Sequence, residues 1–394
     1  SQEDSAGPIP PPQTLPPPPP PPTKKKGQKP GKKDSLVEKP IAPAEPAEPV
    51  LCGSMAIGAV SLAVAKTSAI LGSNPLYLNI AFLKHGQEQS STLTVPLIMA
   101  SVVSCGKSSP GKLNLMKEVI CIPHPGLTTK QGMEMLLEIQ KQINKTLEVP
   151  PPPKAENKKG HNGNKRGQQS LTGRMSHLGC LTISCDTVEQ PLLLLQGVSL
   201  MMNYHLVITL TTENKGKYEV LTGTHKSAAE MVDLYVELVN KNPSIIALID
   251  PFRKEVSFLS WLHFITFLCC KASSISIPRS HALIIKHTNQ TTVSDLVEII
   301  NLIDSTKHIA ILGSTDGESC DDSLVDLAVG LGVRFIKLGG LSRGERVTKY
   351  NRLLTIEEEL VQNGTLAAGA AAGELPGLLE PIFPTEVVEQ SAQS

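Results

Sequence analysis

Short apolar runs alternate with amphipathic stretches through the second half of the chain. The runs are Leu206–Leu210, Ile245–Ile249, Ala282–Ile285, Ile309–Leu312 and Val333–Ile336, mostly Val, Ile and Leu. Unbroken apolarity over so few residues fits strands buried on both faces. The stretches between them carry helical spacing. Ser227 and Glu230 form a capping-box pair ahead of Met231, Leu234, Tyr235 and Leu238 on one face. Thr292 and Asp295 open a second helix with Leu296, Val297, Ile300 and Ile303 inward. A third follows Ser323, and a fourth runs from about Arg343 to Leu360 with Val347, Tyr350, Leu354 and Ile356.

Repeated strand–helix units predict a parallel sheet. The five runs, preceded by a mainly apolar region at 93–123, point to a closed α/β barrel rather than an open sheet. In such a barrel the chemistry gathers where strands end, which singles out Asp250, Lys286, 313–318 and Lys337. A lysine directly after an apolar run is partly desolvated, which favours the neutral amine of a general base. One that stays charged holds an anion. The plainer alternative is a pair of lysines snorkelling at the sheet rim.

Composition limits the folded part. Half of the 32 prolines fall in residues 1–50, with an unbroken run Pro16–Pro22 followed by a lysine block. That arm is expected to be disordered and biased to polyproline II. A second polar stretch, 148–173, reads as a flexible linker, and 367–394 as a disordered tail. Residues 1–30 hold no apolar stretch, so neither signal peptide nor membrane anchor is expected there. Thirty-seven basic and 37 acidic side chains cancel, which gives no global field for nucleic acid or membrane. The eight cysteines show no metal-finger spacing and read as reduced thiols of a cytoplasmic protein. Cys105-Gly-Lys-Ser-Ser lacks the glycine spacing of a phosphate loop, and His124 and His287 read as structural.

Longer motifs carry a resemblance. Residues 335–360, from Phe-Ile-Lys-Leu-Gly-Gly-Leu-Ser-Arg through Thr-Ile-Glu-Glu-Glu-Leu, resemble the C-terminal signature of the enolase family. Asp250-Pro-Phe is similar to that family's Glu-Asp-Pro-Phe strand end, and Leu283-Ile-Ile-Lys286 to the strand that bears its base. Gly317-Glu318, Leu115-Met-Lys-Glu118, Asn74-Pro-Leu-Tyr and the stretch 58–66 resemble further family segments in the family's order. The proline-rich arm and long insertions resemble a divergent, sperm-type branch rather than the housekeeping forms.

The resemblance implies an enolase-type (β/α)8 barrel over 93–366, with 51–92 as the end of an N-terminal α+β domain. It implies a hydro-lyase that dehydrates 2-phosphoglycerate to phosphoenolpyruvate with Mg2+. Lys286 matches the proton acceptor, and Lys337 and Glu118 match substrate-contacting residues. A homodimer or association with other enolases, in the cytoplasm and in the sperm flagellum, is implied likewise. The sequence departs from the family where magnesium is held. The strand Leu206–Leu210 has no acid, Ile249 stands before Asp250, and the next ligand-bearing strand is replaced by the aromatic-rich segment 256–270. The catalytic loop reads Ser314-Thr-Asp-Gly, without the phosphate-contacting arginine and with Asp316 where a dianion would lie, and the acid-bearing loop has Gly179-Cys-Leu-Thr as its nearest equivalent. The expectation is therefore an incomplete barrel in which 256–270 forms a short buried helix. Its activity should be impaired by lost metal ligands, and the alternative function is a catalytically degenerate enolase-fold scaffold.

Overall fold

The structure is a computed structural model describing residues 53–86, 92–107, 109–148, 175–198, 204–210, 218–252, 268–271, 281–286, 292–306, 308–314 and 319–367, with only the backbone described for 54, 55, 148, 198 and 268–271. The arm at 1–50, and the linker and tail apart from Glu148 and Ala367, lie outside the described residues.

Two helices come first, α1 (Ser54–Leu71) and α2 (Leu76–His85), then β1 (Leu97–Ser104) and β2 (Met116–Pro123). Next are α3 (Thr129–Glu148), β3 (Leu181–Thr182), α4 (Gln190–Val198), β4 (Tyr204–Leu210) and the hairpin β5 (Tyr218–Leu221) with β6 (Thr224–Lys226). The rest alternates: α5 (Ala228–Lys241), β7 (Ile245–Ile249), β8 (Leu268–Lys271), β9 (Ala282–Lys286), α6 (Val293–Ser305), β10 (Ile309–Gly313), α7 (Ser323–Gly330), β11 (Phe335–Gly339) and α8 (Gly344–Gln362). Both expected capping boxes form, Ser227 with Glu230 on α5 and Thr292 with Asp295 on α6. The strand expected at 333–336 starts two residues later, where pairing of Ile311 with Phe335 sets its register.

The large sheet has nine strands in the order β11-β10-β9-β8-β7-β4-β2-β1-β3, and β11 also pairs with β1. That extra pairing closes a ring, and β3 attaches to β1 outside it, which leaves eight strands around the barrel. The α/β, enolase-type barrel read from the sequence is the observed architecture, but two details differ. The ring is closed rather than incomplete: β8 pairs in parallel with β7 on one side and β9 on the other. Residues 268–270 are thus strand rather than the end of a helix, and the remainder of 256–270 lies outside the described residues. The sheet is also mixed, because β2 runs antiparallel to both β1 and β4. The described residues of 105–115, which join β1 to β2, hold no helix, and a strand pair joined by a short connection runs antiparallel.

Apolar side chains fall into two layers. Met99, Ile120, Val207, Ala247, Ile249, Ala282, Ile284, Ile311 and Phe335 fill the barrel interior. The opposite strand faces, such as Leu206, Ile208, Leu248, Leu283, Ile285, Leu312 and Ile336, meet Tyr235, Leu238, Leu296, Ile300, Leu353 and Ile356 from the helices. This is the period of two expected of strands buried on both faces. Among the described residues no single helix is long and apolar enough to cross a membrane.

Helix α2 joins this outer layer through Tyr77 and Ile80. It lies so close to α7 that a Cβ on Gly330 would stand 2.4 Å from the Tyr77 carbonyl oxygen and 2.6 Å from Ile80 Cβ. Backbone is the obstacle, so the neighbour cannot simply rotate away. Gly330→Val is expected to lower the free energy of unfolding by about 3 kcal/mol, read from urea denaturation, and an unchanged midpoint would show that α2 does not dock this tightly.

Candidate functional site

The interior of the barrel turns polar at one end. On β9, Ala282 and Ile284 face inward, so the alternation carries Lys286, the last residue of the strand, to the same face. The same phase holds on β11 for Phe335 and Lys337, and on β10 for Ile311 and Gly313. The three strand ends share one register row, with Gly313 paired to Lys286 on one side and to Lys337 on the other. Two strand spacings separate the lysine backbones by about 9.5 Å, and glycine leaves the space between them free of a side chain.

Glu118 reaches this end from β2 and is 2% exposed. Its two oxygens are satisfied by three side chains. Lys337 Nζ lies 2.8 Å from Oε1, the Thr209 hydroxyl donates to Oε1 at 2.9 Å, and the Ser101 hydroxyl donates to Oε2 at 2.5 Å. Burial by itself would raise the carboxyl pKa, but the Lys337 charge and hydrogen bond, with the Ser101 donor, outweigh it and hold the group at about 2. The structure therefore brings Glu118 and Lys337 into contact and sets Lys286 one strand beyond the intervening glycine. Among the described residues the half-buried Lys286 side chain has no hydrogen-bond or ion-pair partner.

Thr209 and Ser101 did not emerge from sequence reasoning. A signal was present: each is a hydroxyl inside a run otherwise made of buried apolar residues, and a buried hydroxyl needs a partner. Asp250, next after β7, adopts φ 51, a left-handed conformation that costs a non-glycine residue about 1 kcal/mol or more. Residues 315–318, including Asp316, Gly317 and Glu318, and His287 lie outside the described residues.

A second buried cation braces the rim. Arg346 on α8 is 3% exposed. Its Nη1 donates to Ser314 Oγ and to the Leu338 carbonyl, both at 3.0 Å, and Nη2 donates to the His177 carbonyl at 3.2 Å. One guanidinium thus ties the ends of β10 and β11 to loop 176–180. The loop also presses on β11 backbone to backbone: Gly340 N donates to Leu178 O at 2.7 Å, and a Cβ on Gly340 would fall 2.2 Å from Gly179 O. Cys180 in this loop is buried, which pushes its thiol up to about 12, and its sulfur lies 3.3 Å from Ser176 Oγ. Protonated at neutral pH, it is a packing group rather than a nucleophile.

Magnesium prefers several hard oxygens in octahedral array. In the row that begins at Glu118, register partners follow as Thr209 on β4, Ile249 on β7 and Cys269 on β8. Of these, the described side chains offer one hydroxyl already donating to Glu118 and an alkyl group, a pair that does not fit a carboxylate-held magnesium ion.

The family profile described as "Enolase, C-terminal TIM barrel domain" matches residues 264–374. The chain is 65% identical to "Enolase 4" of Homo sapiens, over 94% of this chain and 66% of that protein. It is 61% identical to "Enolase 4" of Mus musculus, over 93% of this chain and 66% of that protein. A more distant match is "Enolase" of Methanosarcina mazei, 26% identical over 78% of this chain and 71% of that protein. The chain spans just under two thirds of the length of the two "Enolase 4" relatives. With that identity along nearly its whole length, and a barrel of the matching kind, the chain belongs to the enolase family.

Proposed function

We propose that the barrel mouth is a site for 2-phosphoglycerate and phosphoenolpyruvate, with Lys286 as proton acceptor and Lys337 and Glu118 as substrate contacts, and that turnover by this chain is impaired. The observation that carries this reading is the row Lys286–Gly313–Lys337. In it an amine with no side-chain partner among the described residues stands opposite a carboxylate-braced ammonium, with a glycine between them. The family's magnesium would help to hold the substrate carboxylate, but the donor set here does not fit it. The Lys286 amine is placed to take a proton from the carbon beside a bound carboxylate. Lys337 orients the anion while Glu118, Ser101 and Thr209 fix that ammonium in place. Proton removal adds negative charge to a group that is already an anion. Preorganised positive charge is what lowers such a barrier, and the strand ends at Thr209 and Ile249 bring no carboxylate to recruit more of it.

Dehydration is to be followed by the absorbance of the enol product, for this chain and a longer relative, both with magnesium in excess. The expected rate for this chain is about a thousandfold or more below the relative's, with the residue abolished by Lys286→Met. Equal rates, or a residual rate indifferent to Lys286→Met, would sink the assignment. The absence of acids at Thr209 and Ile249 also favours a second reading, a degenerate enolase-fold scaffold that associates with itself or other enolases, in the sperm flagellum. Helix α1 exposes Val60, Val64 and Leu71, an apolar strip suited to association.

A further inference from the structure

The described side chains at the barrel mouth are of few kinds. Two register rows meet there among the described residues, Glu118–Thr209–Ile249 and Lys286–Gly313–Lys337, with the Ser101 hydroxyl on Glu118. Glu118 offsets Lys337 at 2.8 Å, so among the described side chains named here Lys286 carries the positive charge that is not opposed. A divalent cation at Glu118 would have to displace that ammonium or sit against it as a like charge. On the neighbouring strands Thr209 already donates its proton to Glu118, Ile249 is 0% exposed with no donor atom, and the partner position on β8 is Cys269, two residues before Lys271. The wall that would face a metal is thus built from a neutralised ion pair, a committed hydroxyl and an alkyl group. The charge left over, on Lys286, has the sign that attracts an anion.

We propose that this site takes a small phosphorylated or carboxylated acid without a divalent cation, the lysine pair across Gly313 supplying the positive charge and the Glu118–Lys337–Thr209–Ser101 network standing as a fixed, metal-free wall. The inference rests on the anion-site reading given above, and deepens it by removing the metal from binding. Lys286 becomes the main determinant of affinity, because Lys337 is partly spent on Glu118.

The test is calorimetric and uses the whole chain with phosphoenolpyruvate as probe, once with a chelator and once with magnesium in excess, together with a titration of magnesium alone. The expected results are anion affinities that agree within about threefold in the two media, no saturable heat from magnesium alone, and a loss of about tenfold or more in affinity for Lys286→Met. Lys286 is half-buried at a strand end, and a thermal melt of the variant reports whether it is folded. Magnesium that tightens the anion by tenfold or more, or that binds alone with fixed stoichiometry, overturns the inference and leaves the anion site standing. No binding of phosphoenolpyruvate in either medium overturns the anion-site reading and the inference with it.

Discussion

Replacing Lys337 with methionine is expected to cost about 3–5 kcal/mol of stability at neutral pH, because it strands a charge in the barrel. Glu118 is 2% exposed, and its strongest partner is the Lys337 ammonium at 2.8 Å. The unaltered pair carries its own pH signature. The Glu118 carboxyl is held at about 2 in the folded chain, against an ordinary value of 4.5. A carboxyl depressed on folding stabilises the folded state fully above its unfolded pKa and loses that contribution as pH falls towards the folded one. The pair therefore contributes on the order of 3 kcal/mol at neutral pH, fading below about pH 4.5 and gone near pH 2. In Lys337→Met burial prevails, and the carboxyl protonates at higher pH. The destabilisation should shrink on acidification as the buried charge is neutralised. Adding Glu118→Gln to Lys337→Met should recover about 1–2 kcal/mol, since an amide is cheaper to bury than an unpaired carboxylate. Urea titrations across this pH range give the comparison. A cost below about 1 kcal/mol that does not vary with pH would mean that Glu118 is hydrated and that the pair does not define the site.

How far this site could be read in the sequence depends on which contacts are local. Strands β7, β9 and β10 follow from apolar runs, and α5 and α6 from capping boxes closed within four residues. Lys286 and Lys337 stood out because each follows such a run. The partners of Glu118 did not, since no local rule brings β2 beside β4 in antiparallel register or β11 back to β1. Those pairings depend on ring closure, a property of all eight strands together. Family resemblance supplied Glu118 as a residue near substrate but said nothing of Thr209 or Ser101. The rim brace was hidden for a similar reason: Arg346 sits in a helix with ordinary helical spacing, and only the fold brings His177, Ser314 and Leu338 to its guanidinium.

The shortest strand of the ring is where sequence and structure diverge most, and there a single substitution is expected to have an effect comparable to the loss of Lys337. Segment 256–270 has no clean alternation, which suggested a helix and a barrel with a gap. Instead Leu268–Lys271 lies between β7 and β9, with Ile249 opposite Cys269, and Cys270 opposite Leu283. Four residues suffice to join the two neighbours, because a parallel ladder needs only backbone groups in register, whatever side chains they carry. Without that bridge β7 and β9 would both present open edges inside what is otherwise a ring. Cys270→Pro removes an amide donor from the middle of the bridge and adds a ring that a central strand does not accommodate. It should lower stability by about 3 kcal/mol or more and promote association through the exposed edges, visible as a reduced urea midpoint and growing light scattering. Cys270→Val keeps the backbone donor and a strand-favouring side chain, so it should leave the midpoint within about 1 kcal/mol of the unaltered chain. If the proline variant melts with the unaltered chain and stays unassociated, then Leu268–Lys271 does not close the barrel, and the open ring read from the sequence is the correct one.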